Sequence, residues 1–296
     1  MKKLIFGLIV LLISTVLAAC GGSNETSGGT DTATSVGESV DYEIVGIDPG
    51  AGIMKAAAQA IDDYELQDWT LVEGSSAAMT AALTKAYEKK EPIIVTGWTP
   101  HWMYSKYDLK ILDDPKGSFG EKENIHTIVR TGLQEDHTKA YQVLDQFHWT
   151  SDDMGEVMMQ IQEGKNPEDA AEAWVKAHKE QVAEWTKGVE KADGEKLKLG
   201  YVAWDSEIAS THVIGKVLSD LGYDVTLSQV EAGPLWTGIA DGSLDAQVSG
   251  WLPITHEDYV KKYKGQFEDL GTNLEGTTLG LTVPAYMEID SIEDLK

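Results

Sequence analysis

Three tryptophans carry the chemistry most open to reading in this sequence. Ile93-Ile94-Val95-Thr96-Gly97-Trp98-Thr99-Pro100 and Ala246-Gln247-Val248-Ser249-Gly250-Trp251-Leu252-Pro253 share one pattern. Each is an apolar run, a small hydroxyl residue, Gly-Trp, any residue and Pro, with His101 or His256 close behind. A third indole, Trp204, closes the run Leu197 to Ala203. Strands that end in this way deliver a large ring at their carboxyl ends, where ligands bind in open α/β sheets. Three indole faces brought together suit a cation that donates no hydrogen bonds. A quaternary ammonium is held there by about 0.5–2 kcal/mol of cation–π attraction per ring. The same three rings could instead pack the cores of the halves that carry them, and spacing leaves both readings open.

A complementary chemistry lies at Asp48-Pro49-Gly50-Ala51-Gly52-Ile53. A helix should follow, so the Gly52 and Ile53 amides lack intrahelical acceptors and can receive an anion. Gly52 has no Cβ to block close approach. His256, five residues after Trp251, can add a side-chain donor or be an ordinary loop histidine. Other chemistries find less support. Gly50-x-Gly52 fails as a dinucleotide fingerprint because Lys55 stands at the third glycine position, and there is no Walker phosphate loop. The seven histidines show no tight metal-ligand spacing, and Ser75-Ser76 has no recognisable base partner. No catalytic residue, metal or cofactor is expected.

The elements that must position these residues repeat. Tyr42 to Ile47 reads as a strand. A helix with Met54, Ala57, Ile61 and Tyr64 on one face follows, then a strand at Trp69 to Val72. A second helix, capped near Gly74-Ser75-Ser76, leads to the strand that delivers Trp98. The second half runs the same way: strand Leu197 to Trp204, cap Asp205-Ser206, a helix stopped by Gly222, strand Val225 to Val230, a Gly233-Pro234 turn and short helix, then the strand of Trp251. Two β-α-β-α-β units imply parallel sheets. Between them the apolar spacing is helical. Thr150 to Asp153 offers N-cap candidates and Asn166-Pro167 a helix start. Trp69, Trp149, Trp174 and Trp185 are expected in the core. Ile125 to Val129 and Leu279 to Val283 are expected to cross between two lobes.

Met1-Lys2-Lys3 and the apolar run Leu4 to Leu17 fit an export signal. Leu17-Ala18-Ala19-Cys20 resembles a bacterial lipobox, with lipid on the only cysteine of the 296-residue chain. Gly21 to Val40 is polar and Gly/Ser/Thr-rich, a flexible tether ahead of folded structure beginning near Tyr42. The formal charge of −25 argues against a nucleic-acid partner and for solubility.

The motifs together resemble the extracellular glycine betaine-binding lipoproteins of ABC importers of the OpuA type. The resemblance runs from the lipobox to the end of the chain. It is densest at Gly46 to Met54, Thr96 to Trp102, Tyr201 to Glu207 and Trp251 to His256. It implies an α/β, two-lobed periplasmic-binding-protein fold (type II-like), with a ligand cleft between lobes and two hinge-crossing strands. Residues 42–128 plus 284–296 would form lobe 1 and residues 129–283 lobe 2. It implies a cage of Trp98, Trp204 and Trp251 for the ammonium, with Gly52, Ile53 and His256 on the carboxylate. One lobe would supply Trp98, Gly52 and Ile53, the other Trp204, Trp251 and His256. The implied partners are glycine betaine or a related betaine such as proline betaine, a permease with a cytoplasmic ATPase, and the membrane through lipidated Cys20. A monomer on the extracellular face of the cytoplasmic membrane is expected. The alternatives are a choline or carnitine binder, and a secreted enzyme acting on trimethylammonium compounds.

Overall fold

A computed structural model describes Ser35–Lys296; the expected export signal and lipid-bearing Cys20 lie outside the described residues. Ordered structure begins earlier than Tyr42. Ser35 and Glu38 form a reciprocal capping box around the single turn Val36–Ser39 (α1).

The first half then follows the expected plan. Strand Glu43–Val45 (β1) leads through the Asp48-Pro49-Gly50 turn into helix Gly52–Asp63 (α2), which buries Ile53, Met54, Ala57 and Ala60. Strand Thr70–Val72 (β2) follows, then helix Ser76–Lys89 (α3), whose cap Ser75 accepts from the Ala78 amide at 3.2 Å. Lys90 ends this helix in the left-handed conformation. Strand Val95–Thr99 (β3) carries Trp98. A short turn Met103–Lys106 (α4) and strand Leu109–Ile111 (β4) precede the long strand Glu123–Arg130 (β5).

Helices Leu133–Asp136 (α5), Thr138–Gln146 (α6), Ser151–Gln162 (α7), Pro167–Ala177 (α8) and Lys179–Trp185 (α9) fill the middle of the chain. Thr150 caps α7 in a capping box with Asp153, and Asn166 caps α8 with Pro167 as the first helical residue. These helices pack through aromatic rings. Trp174 and Trp185 stack at 5.6 Å and 11°, while Trp149 meets Trp174 edge-on at 5.8 Å. With Trp69, all four expected core indoles are buried.

The second half repeats the first. Strand Lys196–Tyr201 (β6), helix Asp205–Asp220 (α10), strand Asp224–Gln229 (β7), helix Ala232–Asp241 (α11) and strand Ala246–Leu252 (β8) succeed one another. Two local expectations change. Gly233 and Pro234 are the first turn of α11 rather than a separate turn. Proline is tolerated there because that N–H has no intrahelical acceptor. Trp204, not Asp205, takes the N-cap position of α10, and the Asp205 carboxylate turns away to other partners. A short helix Glu257–Lys262 (α12) leads to the 18-residue strand Phe267–Pro284 (β9).

Strand order is β2-β1-β3-β9-β5-β8-β6-β7, with β4 also on β9. Each half thus places its first strand between its second and third, all parallel. The halves meet through β9, which is antiparallel to both β3 and β5. Its residues from Thr278 pair with β3, while Phe267 to Thr277 pair with β5. The segment 125–129 lies wholly inside β5, paired with β8 and β9. The segment 279–283 pairs with β3 and β4.

Trp185 is fully buried, edge-on to Phe147 at 4.9 Å, and its Nε1 donates to the His148 carbonyl at 2.9 Å. Trp185→Ala should lower the unfolding free energy by about 3–5 kcal/mol, measured by urea denaturation.

Candidate functional site

Gly97 and Gly250 precede the two repeated tryptophans because neighbouring atoms leave no room for a side chain. A Cβ on Gly97 would stand 2.1 Å from Thr282 Oγ1 on β9, and one on Gly250 2.7 Å from Ile128 Cγ1 on β5. The proline that follows each tryptophan is cis in both copies. Trp98 and Trp251, near the carboxyl ends of β3 and β8, line one cavity, about 320 Å³ of atom-free space. Trp204 joins them from the N-cap of α10, and Gly52, Ile53 and His256 also line that cavity. All six residues expected at the site are therefore brought together. Ile47, Ala51, Ser206, Thr255 and Leu279 complete the wall. Cys20, the expected lipid attachment point, lies outside the described residues.

The donors are unspent. Ala51, at the N-cap of α2, makes no side-chain cap, and no protein acceptor takes the Gly52 or Ile53 amide among the described residues. Gly52 packs so tightly beneath Thr255 that a Cβ would fall 2.3 Å from its carbonyl oxygen. His256 is 2 % exposed. Its Nδ1 accepts the Trp251 amide at 3.0 Å, which assigns the ring proton to Nε2. That Nε2 is buried with no partner among the described residues. Burial pushes the His256 pKa down to about 4, so the ring is neutral at physiological pH. The cavity therefore presents three indoles, two free amides and one free imidazole N–H, with no formal positive charge among those six residues.

Four residues support the site in ways the sequence does not signal. Glu123, at the start of β5, is buried. Its Oε2 accepts the Ile254 and Thr255 amides at 2.9 and 3.0 Å, and its Oε1 accepts the Thr255 hydroxyl. It fixes the loop that presents Thr255 and His256. Asp48 Oδ2 accepts Trp204 Nε1 at 2.9 Å. Asp205 accepts Trp102 Nε1 on Oδ1 at 2.9 Å and the Ser76 hydroxyl on Oδ2 at 3.0 Å. Burial raises the Asp205 pKa, but the adjacent His101 imidazole, with the Trp102 and Ser76 donors, outweighs that and holds its carboxyl below the usual carboxylate range. Glu123, Asp48, Trp102 and Asp205 bind partners more than 100 positions away in the chain, and local patterning carries no such signal.

The family model described as the substrate binding domain of the ABC-type glycine betaine transport system (OpuAC) matches residues 27–177 and 195–296. The chain belongs to the OpuAC family. It is 53% identical over 299 residues, covering 100% of this chain and 99% of the relative, to the glycine betaine/carnitine transport binding protein GbuC of Listeria monocytogenes serotype 1/2a. Among solved structures it is similar to lactococcal OpuAC in its closed-liganded conformation complexed with glycine betaine. That match has 52% identity, 50% of this chain, 58% of that one and a TM-score of 0.48. The glycine/betaine/L-proline-binding protein ProX of Borrelia burgdorferi matches at 36% identity, with 51% and 58% coverage and a TM-score of 0.49. OpuAC-family proteins are transport substrate-binding proteins, and this chain is one of them.

Two buried groups give the folded protein opposed pH dependences. His256 resists protonation until about pH 4, whereas the unfolded chain takes that proton near 6.5. Between these values the unfolded state binds more protons, so stability should fall as pH drops from 6.5 to 4, by up to about 3 kcal/mol. Glu207 behaves in reverse. Burial pushes its carboxyl up to about 8, against the Val202 amide that donates to Oε2 at 2.6 Å. The folded protein keeps this proton while the unfolded chain loses it near 4.5, so the Glu207 contribution should decline from pH 4.5 to 8. Glu207→Gln should remove that decline, making the variant's stability relative to wild type grow with pH. Urea unfolding at half-unit pH steps checks both slopes.

Proposed function

We propose that this protein captures glycine betaine between two lobes, residues 35–122 with 278–296 and residues 123–277, for delivery to an ABC importer. We draw these boundaries from the strand pairing, taking all of β5 into the second lobe and the end of β9 into the first. Trp98, Trp204 and Trp251 surround the trimethylammonium group. The Gly52 and Ile53 amides and His256 Nε2–H bind the carboxylate. The observation that carries this reading is the convergence on one cavity of three indoles and three unspent donors, each of a type that serves one end of a zwitterion.

A neutral His256 suits this role better than a charged one. An imidazolium beside the cage would repel the quaternary ammonium, while the neutral N–H still donates to the carboxylate. Choline offers an alcohol in place of that carboxylate and leaves buried donors poorly used, which disfavours it. The kinship with a glycine betaine/carnitine binding protein supports carnitine as a second ligand, since it has both a trimethylammonium and a carboxylate. Ligand closes the lobes by binding both at once. The closed form docks on a permease whose cytoplasmic ATPase drives import. We further infer that the protein acts as a monomer on the extracellular face of the cytoplasmic membrane, held by lipid on Cys20. It performs no chemistry on its ligand.

Calorimetric titration of the full-length chain in detergent tests this reading. Glycine betaine should bind one to one, with choline at least about tenfold weaker, a difference of 1.4 kcal/mol. Trp251→Ala should weaken betaine at least about tenfold. Gly52→Ala should do so by more, since its methyl collides with Thr255. Choline binding as tightly as betaine would remove the assigned role of His256, and no binding of betaine by the wild type would sink the proposal.

A further inference from the structure

The hydrogen bonds of Asp205 and Asp48 join the two halves of the chain outside the cavity wall. Asp205 opens α10 in the second half, beside the cavity residues Trp204 and Ser206. Its two carboxylate oxygens take donors only from the first half: Trp102 Nε1 at 2.9 Å and Ser76 Oγ at 3.0 Å. His101 Nε2 stands 3.3 Å from Oδ2, off the hydrogen-bonding direction. Its Nδ1 accepts the Met103 amide at 3.2 Å, so Nε2 bears the proton and faces the carboxylate. The pairing is reciprocated. Trp204 Nε1 of the second half donates to Asp48 Oδ2 of the first at 2.9 Å.

Other bonds across the same divide are of a weaker kind. Lys55 and Asp258 pair with 70% and 62% of their side chains exposed, where solvent screens the attraction. Tyr259 reaches the Gly50 carbonyl at 3.1 Å, also at an exposed position. The Asp205 side chain keeps only 25% of its surface and bonds to Trp102 and Ser76, each about 1% exposed. Hydrogen bonds to an ionised acceptor in such a setting are stronger than neutral ones. All of them require the two halves to be in contact, because donors and acceptor belong to opposite halves.

We propose that Asp205 is the closure latch of the cleft: it lies outside the cavity wall, yet its bonds to Ser76 and Trp102 set how long a captured ligand is retained. This rests on the betaine-cleft reading above and adds to it a positioning residue. Adjacency in sequence couples the two functions. The turn that seats Trp204 in the cage also seats Asp205 against the first half, so the cage is completed and locked in one movement. Since apparent affinity scales with the stability of the closed form, loss of the latch should weaken binding through faster release, with entry into the open cleft unchanged.

The test is stopped-flow tryptophan fluorescence on the full-length protein with glycine betaine, comparing wild type, Asp205→Asn, Ser76→Ala and the double variant. Asp205→Asn should raise the release rate about tenfold at an unchanged association rate, and Ser76→Ala about threefold. The double variant should match Asp205→Asn alone, because the serine bond has already lost its charged acceptor. Thermal unfolding of each ligand-free variant confirms that the fold is retained. An unchanged release rate in Asp205→Asn overturns the latch. So does additivity of the two substitutions, which would mark Asp205 as a distant charge acting on the cation directly. Failure of the wild type to bind betaine would instead overturn the cleft reading, and the latch with it.

Discussion

The structure depends on a cavity that neither half of the chain can build alone. The indole of Trp98 and the free amides at the start of α2 come from one half. Trp204, Trp251 and the imidazole N–H come from the other. Each half by itself would offer a partly solvated surface with little hold on the proposed zwitterion. Together they would remove it from water, where cation–π attraction and charge-assisted hydrogen bonds both strengthen. The architecture accommodates that division. Two β-α-β-α-β units share one continuous set of buried apolar residues, and β9 runs along the paired edges of both.

Electrostatics inside the cavity work by restraint. The net charge of −25 lies elsewhere, while among the six residues assigned to the ligand there is no carboxylate and no full cation. His256 is kept neutral because burial penalises its charged form more than any neighbour compensates it. Two carboxylates beside Trp204, Asp48 and Asp205, each accept an indole N–H. Their charge is spent on orienting Trp204 and on holding the halves together. A free carboxylate in the cage would strengthen cation binding of any kind and so blur the discrimination between a betaine and a simple amine.

Much of this was legible in the sequence, for identifiable reasons. The βαβ order, the caps Ser75, Thr150 and Asn166, and the Gly-Trp-x-Pro repeat are encoded within a few neighbouring residues, and local spacing reports local structure well. The six cavity residues were legible through their motifs. Asp205 was misread as a helix cap because Asp at a helix start usually caps it. Its actual partners are Ser76 and Trp102, 129 and 103 positions away. Glu123 gave no signal, since a glutamate opening a strand looks like surface until the loop it organises folds back over it. The start of order was placed late because Ser35-x-x-Glu38 sits in a polar stretch. Composition there hid a capping box that packs onto the body of the protein.

The two copies of the repeat show how one local device serves two purposes. In both, a cis proline follows the tryptophan, and a buried histidine takes a backbone amide on Nδ1, leaving Nε2–H as its only free donor. The backbone fixes the tautomer without reference to what the ring faces. In the second copy, Nε2–H of His256 lines the cavity. In the first, Nε2–H of His101 faces Asp205 across the divide between the halves. On the reading proposed above, the same preset N–H faces a ligand carboxylate in the second copy and the Asp205 carboxylate in the first. Under that reading, recognition and closure would need no separate inventions: a duplicated strand end, presented once to the cavity and once to the other half, would supply both.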